Sequence, residues 1–106
     1  MTGALAVCGA VVLNPRDTVA TALRELRPGE SIRLRDAAGG NALTVTVHDP
    51  VPAFHKLAIL PLAGGEAVIK YGEAIGKATR TIRPGEHVHT HNLRSVRGEA
   101  DGHRGL

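Results

Sequence analysis

Hydrophobic residues change their spacing several times along the chain, and each change marks an element. Ala4 to Leu13 is a continuous apolar run closed by Asn14, Pro15, Arg16 and Asp17, the pattern of a buried strand ending in a turn. Asp17 is a good N-cap, and Val19, Ala22, Leu23 and Leu26 follow at helical spacing, with Arg24 and Glu25 outward. The spacing predicts one short helix over residues 18–26. Arg27-Pro28-Gly29-Glu30 then ends it, with Pro second and Gly third in a type II turn signature.

Beyond that turn the period falls to two. Ile32 and Leu34 alternate with Ser31, Arg33 and Arg35, and Leu43, Val45 and Val47 alternate with Thr44, Thr46 and His48. Residues 36–41, rich in Gly and Ala, read as the hairpin connection between them. Asp49-Pro50-Val51-Pro52 is a stiff extended loop that delivers Phe54, His55 and Lys56 into the apolar run Leu57 to Leu60. On the strands that follow, Leu57, Ile59, Ile69 and Val88 are expected to turn into the core.

A repeat is hidden in this pattern. An apolar residue, two others, Gly-Glu, one more and a second apolar residue recur at Leu26–Ile32, Leu62–Val68 and Ile82–Val88. Each copy reads as a tight turn with Gly where φ must be positive, feeding a strand. The uneven spacing of the copies argues for a pseudo-symmetric β-fold turned back on itself rather than a solenoid. From Leu93 on the chain is polar, Gly-rich and without period, so residues 1–92 are expected to form one domain and 93–106 a flexible tail.

Composition narrows the functional classes. The 106 residues, 42% apolar and 22% charged, suit one small globular core. Phe54 and Tyr71 are the only aromatics, too few for a platform that stacks single-stranded nucleic acid, so no nucleic-acid partner is expected. The net charge of +3 is spread among acids, which favours a small anion over a polyanion. Cys8 is alone, precluding an internal disulfide and fitting a reducing compartment, and its apolar strand gives it no chemical role. The apolar start lacks a basic n-region and a small-residue cleavage site, so it reads as a strand of a cytoplasmic protein rather than a leader. No stretch reaches transmembrane length, and no membrane partner is expected.

Three clusters could carry chemistry. His87, His89 and His91 alternate, which on a strand puts three imidazoles on one face about 6–7 Å apart. They are either metal ligands or a polar surface, and the single cysteine argues against a structural zinc site. His55 and Lys56 follow a proline-braced loop; together they suit a carboxylate corner, Lys as point charge and His as acid or base. Lys70 and Tyr71 precede Gly72, where a Tyr beside a Lys is ordinarily half-buried with its hydroxyl satisfied.

The order of these clusters resembles a known family. NPRDTVATAL at 14–23, PAFHKLA at 52–58, IKYGEAIGKAT at 69–79 and GEHVHTHN at 85–92 together look like the SAF-type N-terminal module of altronate and galactarate dehydratases, over residues 4–93. Lys-Tyr-Gly and Val-His-Thr-His-Asn are the specific parts. The family commonly has Gly before the His-Lys pair, where this chain has Phe54.

The resemblance implies a mainly β, β-clip fold and a part in lyase chemistry that removes water from a sugar acid. It also implies a divalent metal, iron or manganese, and a separate large catalytic subunit without which the small one is inactive. A related branch eliminates sulfite from sulfolactate, and SAF folds also occur as non-catalytic binding modules. Under this reading His55, Lys56 and His89 are the catalytic candidates. Lys70, Tyr71 and Asn92 would bind the small hydroxy-acid substrate, and His89 and His91 would ligate the metal. A homo-oligomer is a further option. The site residues are expected to gather on a common face, with His87 peripheral because it lies next to the turn.

Overall fold

The computed structural model describes residues 8–36 and 41–95, with no side-chain detail for 41–43. Nine strands run in order: β1 (Cys8–Val12), β2 (Val19–Ala22), β3 (Ser31–Asp36), β4 (Asn41–Thr46), β5 (Lys56–Ala58), β6 (Ala67–Lys70), β7 (Glu73–Ala78), β8 (His87–Val88) and β9 (Leu93–Ser95). Six form one curled sheet in the order β4-β3-β1-β2-β5-β8, and three form a second, β6-β7-β9. Neighbours are antiparallel except β1 and β3, which are parallel. The expected mainly β class holds. No helix occurs among the described residues, so none there is long and apolar enough to cross a membrane.

The helix expected over 18–26 is instead strand β2 followed by a turn. Its strand lies between two cores. Ala20 and Ala22 pack with Ala10, Leu26, Ile32, Leu34, Val51 and Leu57 on one side. Val19 packs with Ala58, Leu62, Val68, Ala78, Ile82 and Val88 on the other, filling the space between the sheets. A strand buried on both faces loses its period of two, and its apolar residues then also satisfy helical spacing. Asp17, read as the helix cap, is buried and accepts a hydrogen bond from the Gly72 amide at 2.8 Å. The tail boundary moves as well, because Leu93–Ser95 pairs with β7. The rest of that tail, 96–106, lies outside the described residues, as does the start of the first apolar run, 1–7.

The three Gly-Glu turns share one hydrogen-bond pattern. Glu30, Glu66 and Glu86 donate their amides to the carbonyls of Arg27, Ala63 and Arg83, closing each turn at 3.0–3.2 Å. Gly29, Gly65 and Gly85 occupy the third positions with φ of 93°, 90° and 94°. Each glycine amide then reaches a neighbouring segment, at Val47, Ala78 and Ala58 respectively, and the same three residues donate back to Glu30, Glu66 and Glu86. The leading apolar residues Leu26, Leu62 and Ile82 are buried, and Leu62 and Ile82 bridge each other directly.

Among the described residues two non-glycine residues adopt positive φ, and they are the chain's two aromatics. Tyr71 (φ 59°) and Gly72 (φ 74°) are the two-residue connection between Lys70 and Glu73, where a type I′ turn demands positive φ twice. Phe54 (φ 69°) is third in a turn closed by the His55 amide on the Pro52 carbonyl, a position that favours glycine. The turn thus gives a physical reason for the glycine that the resemblance leads one to expect where this chain has Phe54. The Phe54 ring is 73% exposed, so little packing offsets the strain. Phe54→Gly is therefore expected to raise stability by about 1 kcal/mol, relief of the left-handed conformation outweighing the added chain entropy. A denaturant midpoint that falls instead would show that the ring is held by contacts.

Candidate functional site

The site forms where β5 and β8 pair at the edge of the larger sheet. Leu57 lies opposite His87, and Lys56 opposite Val88. Two supports fix this edge. The His87 amide donates to Asp49 Oδ2 at 2.9 Å, tying the strand to the proline-braced loop. The Ala22 amide donates to the His55 carbonyl and the Phe54 amide to the Ala22 carbonyl, both at 2.8 Å, fastening the entrance of β5 to β2.

These supports bring four histidines together. His55 Nδ1 lies 3.0 Å from His87 Nε2, so one of the two nitrogens carries the proton and the other accepts it. The rings of His55 and His89 are 4.8 Å apart, and those of His87 and His89 stack at 5.5 Å and 9°. His91 faces His87 at 5.4 Å. One ligand nitrogen from each of His55, His87 and His89 falls in a group whose members all lie within 4.8 Å of one another. His87, expected at the periphery, is thus central. Burial first, and then the charges of His55, His91 and His89, push its pKa down to about 4 against an opposing pull from Asp49. At neutral pH its imidazole is uncharged.

Asn92 holds this arrangement from beneath. It is fully buried, its Oδ1 accepts the His89 amide at 3.0 Å, and its Nδ2 donates to the His87 carbonyl at 2.8 Å. Both ends of the amide are spent on the backbone of the histidine segment, which makes Asn92 a positioning residue rather than an exposed contact. Asn92 reaches back three residues to the His89 amide, as Glu30 reaches back to the Arg27 amide and Glu66 to the Ala63 amide in the earlier turns.

The lysines lie elsewhere. Lys56 is opposite Val88, whereas His87 and His89 flank Val88 and point to the other face of the ladder. The common face expected for all seven residues therefore divides in two. Lys56 is half-buried, and its pKa is lowered by that burial and then by the positive charge of Lys70. Among the described residues no carboxylate pairs with either lysine. Lys70 Nζ sits 5.6 Å from the centre of the Tyr71 ring, which is itself 64% exposed rather than half-buried. Two cations without an anion are suited to a carboxylate, phosphate or sulfonate group. Asp17 belongs to this region: it pins Gly72 through Oδ1, while its buried Oδ2 has no hydrogen-bond partner among the described residues.

The donor set tests the metal that the resemblance implies. Three imidazole nitrogens with no carboxylate among them fit ferrous iron or zinc, whereas manganese favours oxygen ligands.

Comparison with known proteins places this geometry. The (2R)-sulfolactate sulfo-lyase subunit alpha of Chromohalobacter salexigens is 51% identical over 55 residues, 52% of this chain and 58% of that subunit. The subunit of the same name from Paracoccus pantotrophus is 43% identical over 53 residues, 50% of this chain and 79% of the relative. The altronate dehydratase of Escherichia coli is 36% identical over 94 residues, 89% of this chain but only 18% of that enzyme. The chain thus spans little more than half of the first relative and under a fifth of the last. Residues 8–96, which include every residue the structure describes, match the family model of the altronate/galactarate dehydratase SAF domain, and the chain belongs to that family.

Proposed function

We propose that this chain is the small subunit of a lyase that eliminates water from a sugar acid of the altronate or galactarate type, acting with a separate large subunit. The observation that carries it is the pairing of a histidine cluster with an unpaired lysine couple inside a chain that aligns with altronate dehydratase along most of its own length. Elimination begins with removal of a proton beside a carboxylate, and the carbanion that results needs cations or aimed donors. Lys56 and Lys70 hold the substrate's anionic group. A histidine of the cluster, which is exposed at His89 and His91, carries the proton. The exposed rings of Phe54 and Tyr71, held out by strained backbone, are contacts for the large subunit.

A second reading is favoured by the sulfo-lyase relatives. Their identity is higher, and 55 matched residues make up 58% of one of them, so it is a chain of similarly small size. In that reading sulfite leaves in place of water, and the same lysines engage an acid with a sulfonate. Purification of the tagged chain from its own cells separates the possibilities. It is expected to bring down a large subunit, and the pair to act on altronate or galactarate, or in the second reading on (2R)-sulfolactate. Robust turnover by the isolated chain with added ferrous or manganous ion would refute the two-subunit model. A stable pair that acts on none of these acids would refute the lyase reading.

A further inference from the structure

We propose that His55, His87 and His89 form a three-nitrogen site for a borderline divalent transition ion, with its remaining coordination positions open to solvent. The argument is geometric and does not depend on the lyase reading. Two nitrogens bound at about 2.1 Å to one ion stand roughly 3.0–3.4 Å from each other in octahedral or tetrahedral geometry. His55 Nδ1 and His87 Nε2 already lie 3.0 Å apart. An ion placed between them displaces the proton they share. The third nitrogen, from His89, is within 4.8 Å of the others. His89 is exposed, so a rotation of its side chain closes the remaining gap of about 1.5 Å without disturbing the core.

The ligands come from two segments of the chain that independent supports hold in register. His87 is anchored through its amide to Asp49 and through its carbonyl to Asn92, while His55 is anchored to β2. These contacts fix the backbone from which the His55 and His87 imidazoles project. The donors are imidazoles throughout. Asp49, the acidic group tied to this strand, has Oδ2 engaged by the His87 amide, so an oxygen-seeking ion such as magnesium or calcium finds no cage. With three protein ligands the ion keeps positions for water or for a ligand presented by another chain. His91 is not among the three; its ring faces His87 from outside the group.

The test uses the full-length chain, metal-free and with any affinity tag removed, titrated with Co2+ and Zn2+ by calorimetry and with Co2+ by visible absorption. One equivalent is expected to bind with a dissociation constant below about 10 µM, while Mg2+ produces no heat. His89→Ala, an exposed change that leaves the fold intact, is expected to weaken binding at least tenfold, and His55→Ala likewise. His91→Ala should stay within threefold of the parent. Paramagnetic broadening by Co2+ of the His55, His87 and His89 ring protons, ahead of His48 and His91, supplies a readout independent of any variant. Absence of one-equivalent binding, equal binding of Mg2+, or a loss that follows His91 instead of His89 each overturns the assignment.

Discussion

Gly85→Ala is expected to cost at least about 3 kcal/mol of folding stability, whereas Gly29→Ala costs only about 1–2. The two glycines have the same place in the repeat and nearly the same φ, 94° and 93°. Alanine in that left-handed region carries a similar backbone penalty at both positions. Their surroundings differ. A Cβ on Gly29 meets nothing within 4 Å, so that penalty is the whole effect. A Cβ on Gly85 would overlap the Thr46 carbonyl oxygen and press on the His48 ring at 3.0 Å. Gly85 also donates to Ala58 and accepts from His48, both at 2.8 Å, so neither side can retreat without breaking a backbone bond. Urea denaturation of both variants, read as shifts in midpoint at constant slope, measures the difference. Equal losses would show that the turn around Gly85 relaxes freely. Because His87 is two residues downstream, Gly85→Ala should also loosen the histidine cluster, and Gly29→Ala should not.

Those turns were legible in the sequence because their requirement is local. Positive φ in the third position favours Gly through local sterics alone, and the Arg-Pro-Gly-Glu copies state it outright. Element type was less legible where tertiary burial overrode the local pattern. Val19 and Ala20 face opposite cores, and no window of nine residues distinguishes that from an amphipathic helix. Leu93–Ser95 is short, half polar and lies at a sheet edge, so its pairing with β7 leaves no alternation to read.

In the site, the alternation of His87, His89 and His91 announced a shared face, but the partner that completes the group is His55, 32 positions away from His87. Spacing cannot reveal a contact made by strand pairing across that distance. Alternation did warn against one expectation. His55 and Lys56 are neighbours, and neighbours entering a strand point to opposite sides. The histidine group and the lysine couple are accordingly two sites on one edge, the first suited to nitrogen ligation and proton transfer, the second to an anion.

That division predicts the second large effect. Lys56→Ala is expected to lower kcat/KM of the assembled lyase about 100-fold, the loss of a charge-assisted contact of about 2–3 kcal/mol, while leaving the fold as stable as before. Stability is spared because Lys56 has no ion-pair partner among the described residues and instead experiences the like charge of Lys70. Removing it relieves a repulsion. In the intact chain, burial and Lys70 both depress the Lys56 pKa, and an anion bound between the two amines pushes it back up. By linkage, anion affinity is full at neutral pH and declines as the pH rises through the depressed value. The isolated chain offers a check that needs no partner. Sulfate should raise its melting temperature at pH 7, less so at alkaline pH, and hardly at all in Lys56→Ala. Lys70→Ala should behave alike but more weakly, since Lys70 also rests against the exposed Tyr71 ring and is less fixed. If Lys56→Ala assembles normally and keeps kcat/KM within threefold of the parent, the couple is a solvated edge feature and substrate is held elsewhere.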